Sequence, residues 1–419
     1  MREIRELTKA QIDAYTEIAY NAYPSFKDFS KDSVEKYKKS VAEIMDNDPD
    51  VTFFGLFEEE ELLAVMRLFD FQMNCFGKVI PVSGLGFLGV HLMHKKEKVA
   101  KAMVTFYEEH YQKKGLPIGT LLPFRPDFYK KMGYGIGTKM NQYRLAPHQI
   151  PAYFEKSDLR YMKKQELDSV FACYSRVVEK THGMMMKFGD EIRNMREEEF
   201  DRIIGCYDDS GALSGYMVFR FQNGREGNYT QNNINVKELV YEDTVTLRKL
   251  LGFLRKQEDQ VQLVIFNTQD ENFHYLFDNP INDNMSYIPF GNIETNIQAV
   301  GIMYKLFDVE KAFEQCAHRN YNHTNLTVCF HIENELYGTK SKTIVQFKEG
   351  KALVLRENEK KVDVTLCAKS SYFSSLFLGS VSIKGLYALG LVELDRIEFL
   401  EELDRAFYCS QKPIGNTDF

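Results

Sequence analysis

Positive charge falls short of negative in this chain of 419 residues, 53 lysines and arginines against 60 acidic residues, for a net charge of −7. The acidic surplus argues against a general nucleic-acid binder and mildly favours a cationic small-molecule partner. Long apolar runs are missing too, and none approaches the length needed to cross a bilayer. The opening stretch, Met1-Arg-Glu-Ile-Arg-Glu6, is charged and lacks an apolar core, so no signal peptide is expected. Cysteine pairs of the C-x-x-C kind are absent. Cys75, Cys173, Cys206, Cys316, Cys329, Cys367 and Cys409 are odd in number and scattered, which fits free thiols in a reducing cytoplasm. No G-x-S-x-G elbow occurs. Gly84-Leu-Gly-Phe-Leu-Gly89 spells G-x-G-x-x-G, but strand-like residues follow the third glycine where a dinucleotide fold would open a helix.

What is present is 44% apolar and 27% charged, the balance of a soluble globular protein. The length calls for two or three domains. One run organises the rest. Phe87 to Leu92 is short, apolar and bounded by glycines, as a buried strand is. Val99, Met103, Phe106 and His110 then recur at helical spacing, so a helix starts near Glu97. Lys95, Lys96 and Lys98 lie between them. A strand entering a helix through a lysine-rich turn offers unpaired N–H groups and ammonium groups to a pyrophosphate. Glu97 opposes that charge.

Around this run the expected order is helices over 9–45, strands at 52–57 and 62–71, the central run, and a strand at 118–122. A short helix at 127–132 follows, ended by Gly133, with a last strand at 138–145. A weaker echo comes next: a helix at 166–179, a hairpin at 203–207 and 216–221, a strand at 236–240, a helix at 243–254 and a strand at 261–266. Its strand-to-helix turn, Tyr241-Glu-Asp-Thr-Val, has no lysines and would repel a phosphate. From about 292 the pattern changes to a hairpin at 343–347 and 352–355, a strand at 362–366, and helices at 372–378 and 397–407. The last twelve residues show no periodicity, which by itself predicts fraying.

His91, His94 and Glu97 are spaced i, i+3, i+6, but strand geometry at the first and helix geometry past the second predict diverging side chains, so no metal ligand set is assigned. Tyr134 stands between two glycines after the short helix, near the carboxyl ends of the core strands, where α/β sites gather.

Taken together, these residues resemble the Eis (enhanced intracellular survival) family of GNAT acetyltransferases. Arg125-Pro-Asp-Phe-Tyr-Lys-Lys-Met-Gly-Tyr-Gly135 carries the family's Phe-Gly-Tyr-Gly-like motif. Leu88-Gly-Val90-His-Leu-Met-His94-Lys95-Lys96-Glu97-Lys98-Val99 answers its coenzyme A loop, with Glu97 and Lys98 standing where the family has arginine and glycine. Ser25-Phe26-Lys27-Asp28-Phe29 is similar to its amine-pocket stretch, and the chain ends on Asp418-Phe419 as the family's does.

The resemblance implies an α/β chain with mixed α+β sheets. Its units would be a catalytic GNAT domain at 1–150, a degenerate GNAT domain at 151–290 and a sterol-carrier-protein-like α+β domain at 291–419, whose tail reaches the active site. It implies transfer of acetyl from acetyl-coenzyme A to a primary amine of a polycationic, aminoglycoside-like molecule or a lysine-containing peptide, in a cytoplasmic homo-oligomer, commonly a hexamer. Tyr134 would be the general acid and the Phe419 carboxylate would position the amine. Leu88, Val90, Lys95, Lys96, Lys98 and Val99 would hold the cosubstrate, and Phe26, Asp28 and Asp418 the acceptor. No metal, nucleic acid or membrane is implied. The alternative is a catalytically silent ligand-binding protein.

Overall fold

Alternating burial along the first ninety residues builds a sheet with two covered faces. The computed structural model describes residues 1–26, 28–153, 158–199, 201–356, 361–415 and 417–419, the side chain of Phe26 excepted. The elements of the first unit are β1 (Arg2–Glu6), α1 (Ile12–Ala22), α2 (Lys31–Asn47), β2 (Val51–Glu58), β3 (Glu61–Cys75), β4 (Lys78–Val90), α3 (Val99–Lys113), β5 (Ile118–Leu121), α4 (Pro126–Lys130) and β6 (Gly135–Ile136). β1 to β4 are antiparallel neighbours, and β5 lies parallel to β4. Along β3 the residues divide between two cores: Val65, Phe69 and Phe71 join α1 and α2, whereas Met66 and Leu68 join α3. That alternation is what a period-two strand between two layers requires.

The expected last strand does not stay in this sheet. Met140–Leu145 (β7) pairs instead with Val261–Thr268 in a second sheet. There its buried Tyr143 meets Phe273 and Phe277, with ring centroids 5.5 and 6.4 Å away. The place next to β5 is taken by Met303–Leu306, which pairs with both β5 and β6. All four of its residues are buried, as a central strand demands. The sequence reading passed over it because Lys305 interrupts the apolar run. Inside the protein that lysine donates to both oxygens of the buried Glu108, at 2.8 and 2.9 Å.

The second sheet runs Ile297–Ala299, β7, Val261–Thr268, Asn232–Tyr241, Leu213–Asn223, Arg202–Tyr207, Leu159–Tyr161. The echoed hairpin, helices and strands are all found in it or packed on it. The third sheet centres on Leu326–Asn334, a strand the sequence reading missed, flanked by Thr339–Lys348 and Val364–Lys369. Its core and the α1–α2 side of the first sheet form one continuous cluster. Among the described residues, no helix is long and apolar enough to cross a membrane.

Candidate active site

β4 and β5 pair only through Ser83–Leu85 and Gly119–Leu121, after which they part. At the parting β4 bulges: Phe87 takes φ +52°, and the β3 ladder shifts register opposite it. Here the glycines of the rejected dinucleotide motif find their purpose. A Cβ at Gly84 would lie 2.3 Å from the Phe71 ring, and one at Gly86 would lie 3.0 Å from the terminal carboxyl carbon of Phe419. The chain end therefore rests on the β4 bulge. Its ring sits edge-on to Phe69 and Phe71, at 5.4 and 4.8 Å.

The approach to that position is not frayed. Ile414 N–H donates to His182 O at 2.8 Å, Gly415 N–H to Gln269 Oε1 at 2.5 Å, and Lys412 pairs with Glu271 at 2.8 Å. His182 is itself pinned, its Nδ1 accepting from Phe76 N–H and its Nε2 donating to Leu378 O. Burial pushes its pKa down to about 4. Asp418 lines a cavity of about 1020 Å³ with Glu238, Asp270 and Glu271. Its carboxylate is open to that space, yet crowding by the walls raises its pKa, with Lys187 and Lys237 pulling the other way.

On the opposite face lies Tyr134. It is fully buried beside Leu85, Leu88, Val99 and Tyr129, and its hydroxyl has no hydrogen-bond partner among the described residues. Burial, and then the charge of Glu108, raises its pKa well above the usual phenol value. The phenol thus stays protonated at any physiological pH. Its turn is gripped from behind. A Cβ at Gly135 would strike Ser371 O at 2.1 Å, and Lys305 ties Met132 O to Glu108 and Asn334.

The lysine turn is where the sequence placed it, with the helix starting two residues later than expected. Lys96 and Lys98 take φ +69° and +64°, so Lys98 holds the left-handed conformation that favours glycine. No side chain caps α3, and the N–H groups of Val99, Ala100 and Lys101 have no partner among the described residues. Glu97 is turned away and neutralised, 2.6 Å from Arg2 and 3.3 Å from His94. These exposed lysines, free amides and the diverging strand backbone at Leu88 and Val90 fit the acetyl-coenzyme A that the resemblance implies.

Two expectations need correcting or narrowing. His91 and His94 do not diverge, because the turn Leu92–His94 sets their rings 5.6 Å apart and brings both beside Glu61. Asp28 caps its own turn, accepting from Ser30 N–H at 2.9 Å, and is not among the residues lining the cavity with Asp418. The Phe26 side chain lies outside the described residues.

Sequence reasoning missed Arg67 altogether. It pairs with Gly86 across the ladder and points to the same face as the chain end. Its Nε donates to Tyr15 OH at 2.9 Å and its Nη2 to Tyr37 OH at 3.4 Å. Its guanidinium lies 5.0 Å from the Phe53 ring and 4.7 Å from that of Phe87. Those partners come from four different elements, so no local pattern announces them.

Comparison with known proteins agrees with this architecture. Residues 3–137 and 183–290 each match a model of the GNAT acetyltransferase domain, and residues 309–415 match a sterol carrier protein domain. An uncharacterized N-acetyltransferase of Streptomyces avermitilis is 22% identical over 378 residues, 86% of this chain and 87% of that one. Among solved structures, a GCN5-related N-acetyltransferase from Anabaena variabilis is similar over the full length of both chains, with TM-score 0.82 at 15% identity. Eis1 from Mycobacterium abscessus is likewise similar over both full chains, with TM-score 0.74 at 18% identity.

Proposed function

We propose, from the premise that the chain is a GNAT-type acyltransferase with the Eis-like order of two acetyltransferase domains and a sterol carrier protein domain, that it acetylates a primary amine. The acceptor classes are a polycationic small molecule or a lysine-containing peptide, and acetyl-coenzyme A supplies the activated thioester. The observation that carries the reading is the terminal carboxyl carbon of Phe419 seated over Gly86, where β4 leaves β5.

A primary amine is largely protonated at neutral pH and needs an anion to hold it and a route to shed its proton. The Phe419 carboxylate, with a reference pKa near ~3.3–3.7, is a weak base. It acts chiefly by fixing the ammonium beside the bulge, which passes one proton to solvent water before its lone pair attacks the thioester carbon. Tyr134, kept neutral by burial, donates its proton to the departing thiolate. A backbone N–H near Val90 faces the developing negative charge. Lys95, Lys96, Lys98 and the free amides of α3 hold the pyrophosphate, while Leu88 and Val99 form the apolar wall.

The test is an acetyl-transfer assay across an amine panel, with products mapped by mass spectrometry, on the intact chain and on one ending at Asp418. Loss of Phe419 should cut kcat by about 10³-fold, with the folded state retained by circular dichroism. Unchanged turnover would remove the chain end from the mechanism.

A further inference from the structure

Arg67 is a cation without a counter-ion. Among the described residues no carboxylate lies within ion-pair distance of it. Asp190, which acts on it from farther away, is already paired with Arg193. Two tyrosine hydroxyls satisfy two of its N–H groups, and the Phe53 and Phe87 rings flank its plane. The Nη1 edge has no protein partner among the described residues. A guanidinium is costly to hold away from water when its charge is unmet. The aromatic walls lower that cost through cation–π attraction but leave the donors on the free edge unused.

The position is as telling as the chemistry. Arg67 is half-buried and keeps part of its surface exposed. Its ladder partner, Gly86, lies against the terminal carboxyl group of Phe419, and Phe87 of the bulge forms one of its walls. A negative chain end and a positive guanidinium thus share one face of the sheet beside the point where the acceptor must bind. The negative group suits an ammonium. A fixed guanidinium with a free edge suits a carboxylate, which it can grip through two parallel hydrogen bonds.

Resting on the acetyl-transfer reading above, we propose that Arg67 selects acceptors bearing a carboxylate as well as an amine, so that the substrate is an amino acid or a peptide rather than a pure polycation. The amine end faces Phe419 and the carboxylate end faces Arg67. A polycation would bring a second ammonium against the guanidinium and be disfavoured. The competing role for Arg67 is a purely internal one: packing the aromatic box, or steadying the chain end.

L-lysine and 1,5-diaminopentane differ by one carboxylate and separate these roles. In the wild-type protein kcat/KM should favour lysine by about tenfold or more, the scale expected where a site is built to bind a polar group. Arg67→Met keeps the bulk and should bring that ratio close to one, chiefly through a raised KM for lysine; Arg67→Lys should restore part of it. A wild-type ratio at or below one, or a ratio unmoved by Arg67→Met, overturns the proposal and assigns Arg67 to packing or to the chain end. A second readout needs no catalysis. Hexanoate, which has no amine, should raise the Tm of the wild type and not of Arg67→Met; equal shifts, or none, count against the anion seat. If hexanoate discriminates but no amine is acetylated, the seat stands and the acetyl-transfer reading falls.

Discussion

The two GNAT units open the same gap and fill it differently. In the first, β4 and β5 part after Leu85 and Leu121, and the helix that follows keeps its amides free behind three lysines. In the second, Asn232–Tyr241 and Val261–Thr268 run parallel to Val236 and Phe266 and then part. There the helix Thr244–Arg255 is capped from within, since Asp243 accepts from Thr246 N–H at 2.8 Å. Glu242 just before it is bound to Arg176. A carboxylate already occupies the place an incoming phosphate would need, and the gap is lined by parts of the tail, among them Lys412, Ile414, Gly415, Thr417 and Asp418. One gap is left open, where the proposed cosubstrate would sit. The other guides the chain's own end towards the first. The comparison teaches that the two units differ most at one helix terminus, free amides in the first and a carboxylate cap in the second.

The contrast can be broken at several points. After the loss expected on removing Phe419, the largest effect is expected at the first unit's proposed proton donor: Tyr134→Phe should lower kcat by about 10²-fold, measured by thiol release at saturating acetyl-coenzyme A, with KM little changed. Next comes the anchor of the tail. His182, ordinarily near 6.5, is held down to about 4 by burial, so the folded state takes up its proton less readily than the unfolded state does. Its stabilising contribution is complete above about pH 6.5 and is lost as pH falls towards 4, on the order of 3 kcal/mol in all. Thermal melts across that window should show the loss, and His182→Gln should flatten it.

Smaller effects sharpen the distinction between the two helix termini. Replacing Lys95, Lys96 and Lys98 together with alanine should raise the KM for acetyl-coenzyme A about tenfold, given roughly 0.2–1 kcal/mol per exposed ion pair. The penalty should shrink as salt is added. Asp243→Ala in the second unit should cost about 1 kcal/mol of stability and leave that KM where it was. A KM that moved with Asp243 would mean that the second unit also binds cosubstrate.

Much of the fold was readable because it is written locally. The periodicity of Val99, Met103 and His110 marked α3, and the lysine turn marked its start, later than expected because Lys98 adopts the left-handed conformation ahead of it. What could not be read was exchange between distant parts. Nothing near Met140 shows that its strand leaves for another sheet, and Lys305 disguises a central strand because its partner, Glu108, lies almost two hundred residues earlier. The site divides the same way. The positions of Tyr134 and the lysines on turns were legible from turn chemistry, whereas their proposed roles and that of the chain end came through the resemblance. Arg67 was not legible at all, since Tyr15, Tyr37, Phe53 and Phe87 converge on it only after folding. His91 and His94 were misjudged because a one-turn 3-10 segment, invisible to either strand or helix spacing, sits between them.

The strand Met303–Leu306 completes the first sheet between β5 and β6. On a ribosome, the amino-terminal part of this protein emerges with a slot in its sheet that only a much later segment can fill. Neither that sheet nor the turn bearing Tyr134 can reach final form until most of the polypeptide has been made. A half-made copy therefore carries an unfinished sheet, and the turn at Tyr134 waits on a segment that arrives much later in synthesis.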